Sequence, residues 1–117
     1  MNPFDYSLCG QTVTVYRKEG AGITRRVCRQ AYLWVKVSTP AENYGKSLEK
    51  TFRLIIPGDF PLQPGDRVFV GVGPDAVDWQ SFLPALVPEV LECGFVKPCY
   101  WEGEITHWEA GNRKETL

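Results

Sequence analysis

The stretch TFRLIIPGDFPLQPGDRVFVGVG, residues 51–73, decides the fold class of this chain. It contains two segments in which apolar residues recur at every second position, the pattern of half-buried β-strands. These positions are Phe52, Leu54 and Ile56 in the first segment and Val68, Val70 and Val72 in the second. Between them, Pro64-Gly65 fits the central positions of a type II turn, because proline presets φ and glycine accepts a positive φ. The stretch predicts a strand pair in a small β domain, and by itself it indicates no chemistry.

The composition is that of a single globular domain. The chain has 117 residues, of which 44% are hydrophobic and 23% charged, enough for one core but not for two domains. Its formal net charge of −1 argues against duplex binding, because proteins that grip phosphate backbones carry a basic surface. The first ten residues lack a basic start followed by an apolar stretch, and no run approaches the roughly 18 apolar residues of a membrane helix. We therefore expect one soluble intracellular domain over residues 1–117.

The same alternation predicts further strands on both sides of this stretch. The additional segments are 11–17, 23–37, 95–100 and 104–110. We expect residues 1–9 to form a short leader, the polar segment 38–50 a flexible loop, and residues 111–117 a frayed tail. The order predicts a mainly β fold, a small β-barrel or sandwich of about six strands with one short helix.

The long strand predicted at 23–37 carries a specific expectation about its faces. Period two along the whole segment puts Val27, Arg29, Ala31, Leu33, Val35 and Val37 on one face and Cys28, Tyr32 and Trp34 on the other. Both faces carry large apolar groups toward the C-terminal end. We therefore expect that end to be central in the sheet and covered on both faces.

Residues 78–86, DWQSFLPAL, form the one helical pattern. Its apolar stripe consists of Trp79, Phe82, Leu83 and Leu86. Asp78 is a residue type that caps helix N-termini. Pro84 predicts that the helix is short or distorted, because an interior proline removes a backbone hydrogen bond and clashes with the preceding turn.

The cysteines and the histidine show no metal-binding pattern. The cysteines are Cys9, Cys28, Cys93 and Cys99. None forms a CxxC pair, and His107, the one histidine, is distant from them in sequence, whereas zinc ligands come in closely spaced pairs. We therefore expect no metal and no cofactor. The thiols are expected to be unpaired and buried or half-buried.

His107 alone is a weak signal for catalysis. A general base needs an orienting partner and a nucleophile nearby. Glu104 or Glu109 can supply the partner, but the sequence indicates no nucleophile. We therefore favour a structural histidine beside Trp108 and no enzymatic activity, with a small enzyme centred on His107 as an open alternative.

Asp59 and Asp66 each follow a Pro-Gly pair. In that context an aspartate bonds to its own backbone. We expect both carboxylates to form turns and not to act as an acid–base pair.

A group of aromatic residues supports a rival function, a small nucleic-acid-binding module of the oligonucleotide-binding type. Successive bases stack on aromatic side chains in such barrels. The candidates are Tyr32, Trp34, Phe69, Trp101 and Trp108. The alternative interpretation is that these side chains fill or flank the core, and the charge balance favours it because no basic groove accompanies them.

The stretch at 51–73 resembles a family of small proteins encoded in the structural gene clusters of tailed phages and prophages. The resemblance rests on RLIIP at 53–57, PGDRVFVG at 64–71, and His107-Trp108 in a closing strand. The N-terminal half also fits, with a leader and two strands. The segment DWQSFLPALVPEVLE departs from the family's pattern. These family members are described as minor capsid or head–tail connector proteins, with the stopper or head-closure proteins as close functional relatives.

The resemblance implies a non-enzymatic virion protein. Its β-barrel would be a rigid scaffold in the neck between portal and tail, assembled in the bacterial host cytoplasm. The implied partners are other neck proteins (portal, adaptor and tail-completion proteins) and further copies of the chain in a ring. No membrane, cofactor or small-molecule substrate is implied. The candidate partner contacts are Phe4 and Tyr6 in the leader and Asn43, Tyr44 and Lys46 in the loop.

Overall fold

The computed structural model describes residues 5–38 and 49–112, with the backbone alone at positions 38, 49 and 50. These residues form seven antiparallel strands in one curled sheet of order β5-β4-β1-β2-β3-β7-β6. The strands are β1 (Gln11–Glu19), β2 (Gly22–Ser38), β3 (Glu49–Pro57), β4 (Arg67–Val70), β5 (Val90–Glu92), β6 (Phe95–Trp101) and β7 (Glu104–Gly111). The expectation of a mainly β, barrel-like domain is confirmed. The described part of the chain holds no helix that could cross a membrane.

The sheet curls because its two edge strands follow each other in the chain. β5 and β6 lie at opposite ends of the strand order, yet only Cys93 and Gly94 separate them. Backbone bonds fix this corner: the Gly94 N–H donates to the carbonyl of Gly111 over 2.7 Å, and the Cys93 N–H to that of Asp66 over 2.8 Å. The corner therefore closes one end of the barrel-like sheet.

The inner face of the sheet encloses the main core. Its buried side chains are Val13, Val15, Cys28, Ala31, Leu33, Phe52, Leu54, Ile56, Leu62, Val68, Leu91, Cys93 and Ala110. A second, smaller cluster lies on the outer face of β1, β4 and β5, where Tyr16 and Val90 pack against Phe82 from the segment 71–89. This half of the sheet is therefore covered on both faces, and burial of apolar surface is the main term that stabilises it.

The two strands predicted within residues 51–73 are present but do not pair with each other. β3 pairs with β2 and β7, while β4 pairs with β1 and β5. The connection between them crosses one end of the sheet. Its type II turn is confirmed, since Gly65 has a φ of 93° and the Asp66 N–H donates to the carbonyl of Gln63 over 3.0 Å.

The predicted faces of β2 are wrong for its first half because the strand contains a bulge. Gln11 lies opposite Ala31 but Val13 lies opposite Cys28, so β2 advances three residues while β1 advances two. An extra residue in one strand reverses the side-chain alternation beyond it. Cys28 consequently faces the core together with Ala31 and Leu33.

The predicted helix at 78–86 is absent, and its residues form isolated turns instead. The guanidinium of Arg67 explains the difference. It donates to the carbonyls of Trp79 and Phe82, the latter over 3.1 Å, and its Cζ lies 3.8 Å from the centre of the Trp79 ring. In a helix both carbonyls would accept from residues one turn later, and Pro84 would leave a further carbonyl without a donor. The segment therefore wraps around Arg67.

Candidate functional site

Of the five predicted contact residues, the structure describes Tyr6. The other four, Phe4, Asn43, Tyr44 and Lys46, lie outside the described residues. Tyr6 packs on the outer face of β7, with its Oη 2.6 Å from Nδ1 of His107 and the two rings edge to face at 5.4 Å. Tyr6 thus holds the leader to the sheet.

His107 occupies the centre of a polar cluster on this face. Its side chain is 2% exposed, and its Nε2 lies 2.9 Å from Oε2 of Glu109, two residues further along β7. The other carboxylate oxygen of Glu109 lies 3.8 Å from Nζ of Lys97 on β6. The prediction that Glu109 could partner His107 is therefore confirmed.

Cys99 completes the cluster from the neighbouring strand. It lies directly opposite His107 in the β6–β7 register, with its thiol near the Glu109 carboxylate. One ligand atom from each of Cys99, His107 and Glu109 lies within 4.8 Å of the others. Sequence reasoning missed this grouping.

A bulge creates the grouping. Near the turn, Trp101 faces Glu104 and Tyr100 faces Ile105, a register that would place Cys99 opposite Thr106. The register shifts by one residue between Cys99 and Tyr100. Bulges redirect side chains in this way. The sequence predicted two strands on either side of residues 101–103, but it did not indicate the shift in their register.

The electrostatics of the cluster favour an ionised Glu109 and a protonated Cys99. Burial acts to raise the pKa of Glu109, but hydrogen bonds from His107 and Cys99 and the charge of Lys97 outweigh it and hold that pKa below its usual 4.5. Burial, followed by the nearby Glu109 carboxylate, raises the pKa of the Cys99 thiol above its usual 9.0. A catalytic cysteine needs the opposite shift, because the thiolate is the nucleophile.

The cluster borders a small outer pocket of about 240 Å³ between the leader and the sheet. Tyr6, Cys9, Tyr32, Ile55, His107 and Glu109 contribute to its lining. Within the cluster both ring nitrogens of His107 are already hydrogen-bonded, one to Tyr6 and one to Glu109. The arrangement can anchor the leader and can offer sulfur, nitrogen and oxygen ligands from adjacent strands.

The two Pro-Gly-Asp sequences have different surroundings. Asp66 is 1% exposed and accepts from Nε and Nη2 of Arg17 and from its own turn at the Gln63 N–H, each over 2.9 Å. Asp59 is exposed and accepts from Nε1 of Trp108 over 3.3 Å. The expected turn role of Asp66 is confirmed, and the residue also forms a buried ion pair that raises the pKa of Arg17 by hydrogen bonding.

The five aromatic candidates for base stacking do not form one platform. Tyr32 and Trp34 share the outer face of β2, and a groove of about 380 Å³ runs between them and Arg53. Trp108 packs against the main core, and Phe69 against the second cluster. Trp101 lies at the end of β6 beside the β6–β7 turn.

The C-terminal end of β2 is not covered on two faces, so that prediction is wrong. Beyond Arg53, whose partner Gly111 is the last residue of β7, residues 35–38 and 49–52 pair, among the described strands, only with each other. We call this two-stranded ribbon the arm. Val35 and Val37 on the arm are 40% and 51% exposed, and Trp34 at its base is 44% exposed. Sequence reasoning read these apolar residues as core.

The described cysteines follow the expectation for thiols. Cys28 and Cys93 are buried, Cys9 and Cys99 are half-buried, and all four are free. Burial raises the pKa of Cys93 to about 12, so this thiol is inert.

No protein-family model, curated protein or solved structure matches the chain.

Proposed function

We propose that this chain is a non-enzymatic structural protein of a tailed phage or prophage, acting in the head–tail connector between portal and tail. The arm is the observation that carries the proposal. Of the described side chains of the arm, Phe52 alone is buried, and an isolated two-stranded ribbon is marginal in water. An apolar surface on such a ribbon is typical of a segment that a partner covers.

The arm carries Val35 and Val37 on one face, and Trp34 at its base adds an apolar side chain on the other face. Trp34 lies on the outer face of β2, with Tyr32, whereas Val35 lies on the inner face, opposite Phe52. Apolar side chains in these positions suit insertion of the arm between neighbouring subunits. Contacts of this kind, in which one surface meets a different surface of the next copy, close into rings when the rotation allows.

The polar cluster supports a role without catalysis. The thiol of Cys99 is held protonated by its surroundings, and both ring nitrogens of His107 are engaged. The net charge of −1 suits contacts with proteins better than a grip on duplex DNA. The sequence resemblance supplies the location in the neck.

The test is an assembly assay in the phage or prophage that encodes the chain. We expect deletion of the gene to yield filled heads without attached tails, counted by electron microscopy. The arm variant Trp34→Ser/Val37→Ser should fold normally and give the same tailless heads. The control Leu86→Ser removes an apolar side chain that is 64% exposed but lies outside the arm, and it should restore tailed particles.

Two results would overturn the proposal. One is normal numbers of tailed, infectious particles with the arm variant or with the deletion. The other is tight, salt-dependent binding of single-stranded nucleic acid that is lost in Tyr32→Ala or Trp34→Ala, since phosphate contacts make such binding salt-dependent. That second result would establish the nucleic-acid-binding alternative.

A further inference from the structure

Three different metal-ligand types converge on the outer face of the β6–β7 hairpin. His107 and Glu109 point to the same side because they are two residues apart on β7, and Cys99 faces them from β6. All cysteines and the one histidine of the chain lie in described residues. Among the groups of acidic, cysteine and histidine side chains described, this is the one with metal-binding proximity.

The spacing of the ligand atoms fits a tetrahedral ion. Zinc bonds of about 2.0–2.3 Å place neighbouring ligand atoms about 3.3–3.7 Å apart. Nε2 of His107 and Oε2 of Glu109 are 2.9 Å apart, and the three ligand atoms span at most 4.8 Å. The separations that zinc requires lie between these two values.

The surroundings of His107 orient it as a metal ligand. Nδ1, the nitrogen on the far side from Glu109, lies 2.6 Å from the Tyr6 hydroxyl and 3.4 Å from Oγ1 of Thr106. Ligating histidines regularly bond their second nitrogen to such a group, which fixes the ring and the tautomer. With Nε2 on an ion, Nδ1 carries the proton and donates it to Tyr6.

The charges around the cluster accommodate a cation. Glu109 is ionised, and its second oxygen remains with Lys97, whose side chain is largely exposed. Coordination requires the thiolate, so Cys99 exchanges its S–H bond for a bond to the ion and releases one proton to solvent. Thiolate, imidazole and carboxylate together select Zn²⁺ over Mg²⁺ or Ca²⁺, which prefer oxygen ligands alone.

We propose that Cys99, His107 and Glu109 form a zinc site that cross-links the edge strand β6 to β7, with a water molecule at the fourth position. The ion bridges two strands whose pairing is interrupted by the bulge at Cys99. It also fixes the histidine that holds Tyr6 and the leader. The site is independent of the proposed role in the connector.

Cobalt(II) titration of the purified full-length chain, after dialysis against a chelator, tests the site. We expect one equivalent of Co²⁺ to bind, with the charge-transfer absorption of a thiolate ligand, and Zn²⁺ to displace it and raise the melting temperature. Cys99→Ser should abolish the charge-transfer band. The matched control Cys9→Ser removes another half-buried thiol, outside the cluster, and should leave the titration unchanged.

Glu109→Gln provides a second variant that keeps the shape of the side chain. It should weaken Zn²⁺ binding at least about tenfold, since loss of even an outer partner of a metal site costs that much. The proposal is overturned if the wild-type chain binds no stoichiometric metal. It is equally overturned if the band persists in Cys99→Ser, or if Cys9→Ser removes it.

Discussion

The buried carboxylate of Asp66 provides the sharpest test of the fold. The chain contains two Pro-Gly-Asp sequences, and sequence reasoning assigns the same turn role to Asp59 and Asp66. The structure separates them, because Asp66 is 1% exposed and Asp59 is at the surface. We therefore expect Asp66→Asn to destabilise the protein and Asp59→Asn to have little effect.

The magnitude follows from the contacts of the carboxylate. Asp66 accepts three hydrogen bonds of 2.9 Å, two from Arg17 and one from the Gln63 N–H. An asparagine amide keeps one oxygen and presents a donor in place of the other, so at least one bond to a charged group is lost. Bonds of this kind contribute about 1.5–3 kcal/mol each, and breaking a buried ion pair costs about 3–5 kcal/mol. Arg17 retains some access to water and a bond to the Pro61 carbonyl, so we expect a loss of about 3 kcal/mol.

Urea unfolding followed by tryptophan fluorescence measures the difference. Asp59→Asn keeps an acceptor for Trp108 and should change the free energy of unfolding by less than about 0.5 kcal/mol. In an Arg17→Met background, Asp66→Asn should cost clearly less, because the two residues act as a pair. Equal losses for the two aspartate variants, or additive losses with Arg17→Met, would refute the reasoning.

Three further predictions follow from the contacts. Tyr6→Phe removes the bond to His107 and should speed amide exchange in residues 5–10, with a cost of about 1 kcal/mol. Gly73→Ala should lower stability by about 1–3 kcal/mol in urea unfolding, since its Cβ would lie 2.3 Å from Oη of Tyr16. Because burial raises the pKa of Cys93 to about 12, its thiol ionises first in the unfolded chain. The contribution of Cys93 should therefore lower stability by up to about 1.4 kcal/mol per pH unit above pH 9, and Cys93→Ala should reduce the alkaline slope by that amount.

Each of these predictions has a control or a contrary result. Tyr100→Phe changes a tyrosine that is 58% exposed and should leave amide exchange in residues 5–10 as it is. Gly10→Ala adds a Cβ with no atom within 4 Å and should be nearly neutral. If wild type and Cys93→Ala lose stability with the same alkaline slope, Cys93 is not the buried acid that the structure describes.

The strands could be predicted from the sequence because their signal is local. Period-two alternation and the Pro64-Gly65 turn depend on neighbouring residues, and both are present in the structure. Strand partners depend on which segments meet in space. The sequence order suggested that the two strands in residues 51–73 pair, but β1 and β2 lie between them in the sheet.

The two bulges account for most of what the sequence could not show about the site. A single extra residue shifts the register between two paired strands, and the alternation of apolar and polar residues in the sequence does not show where that residue lies. One bulge turns Cys28 into the core, and the other places Cys99 opposite His107. The polar cluster therefore depends on a register that only the folded hairpin reveals.

The missing helix has a different cause, a long-range contact that overrides local preference. Phe82, one residue of the apolar stripe predicted at 78–86, is buried against Tyr16 with ring centres 4.8 Å apart. The carbonyls that a helix would use internally bond to Arg67 on β4. Helical periodicity thus predicted the burial of Phe82, but it was wrong for Leu86 of the same stripe, which is 64% exposed, and for the backbone, which is not helical.

Two described segments cover parts of the outer face of the sheet. The segment 71–89 covers β1, β4 and β5, and the leader covers β7 through Tyr6 and His107. Neither of these segments reaches the arm: within the described residues the sheet narrows there to two strands, with Val35 and Val37 exposed on the arm and Trp34 exposed at its base. This exposed apolar surface is the observation behind the proposal that another subunit covers the arm. The assembly assay with Trp34→Ser/Val37→Ser therefore tests whether the arm needs a partner. The metal titration tests a different proposal, a zinc site whose three protein ligands all come from this chain.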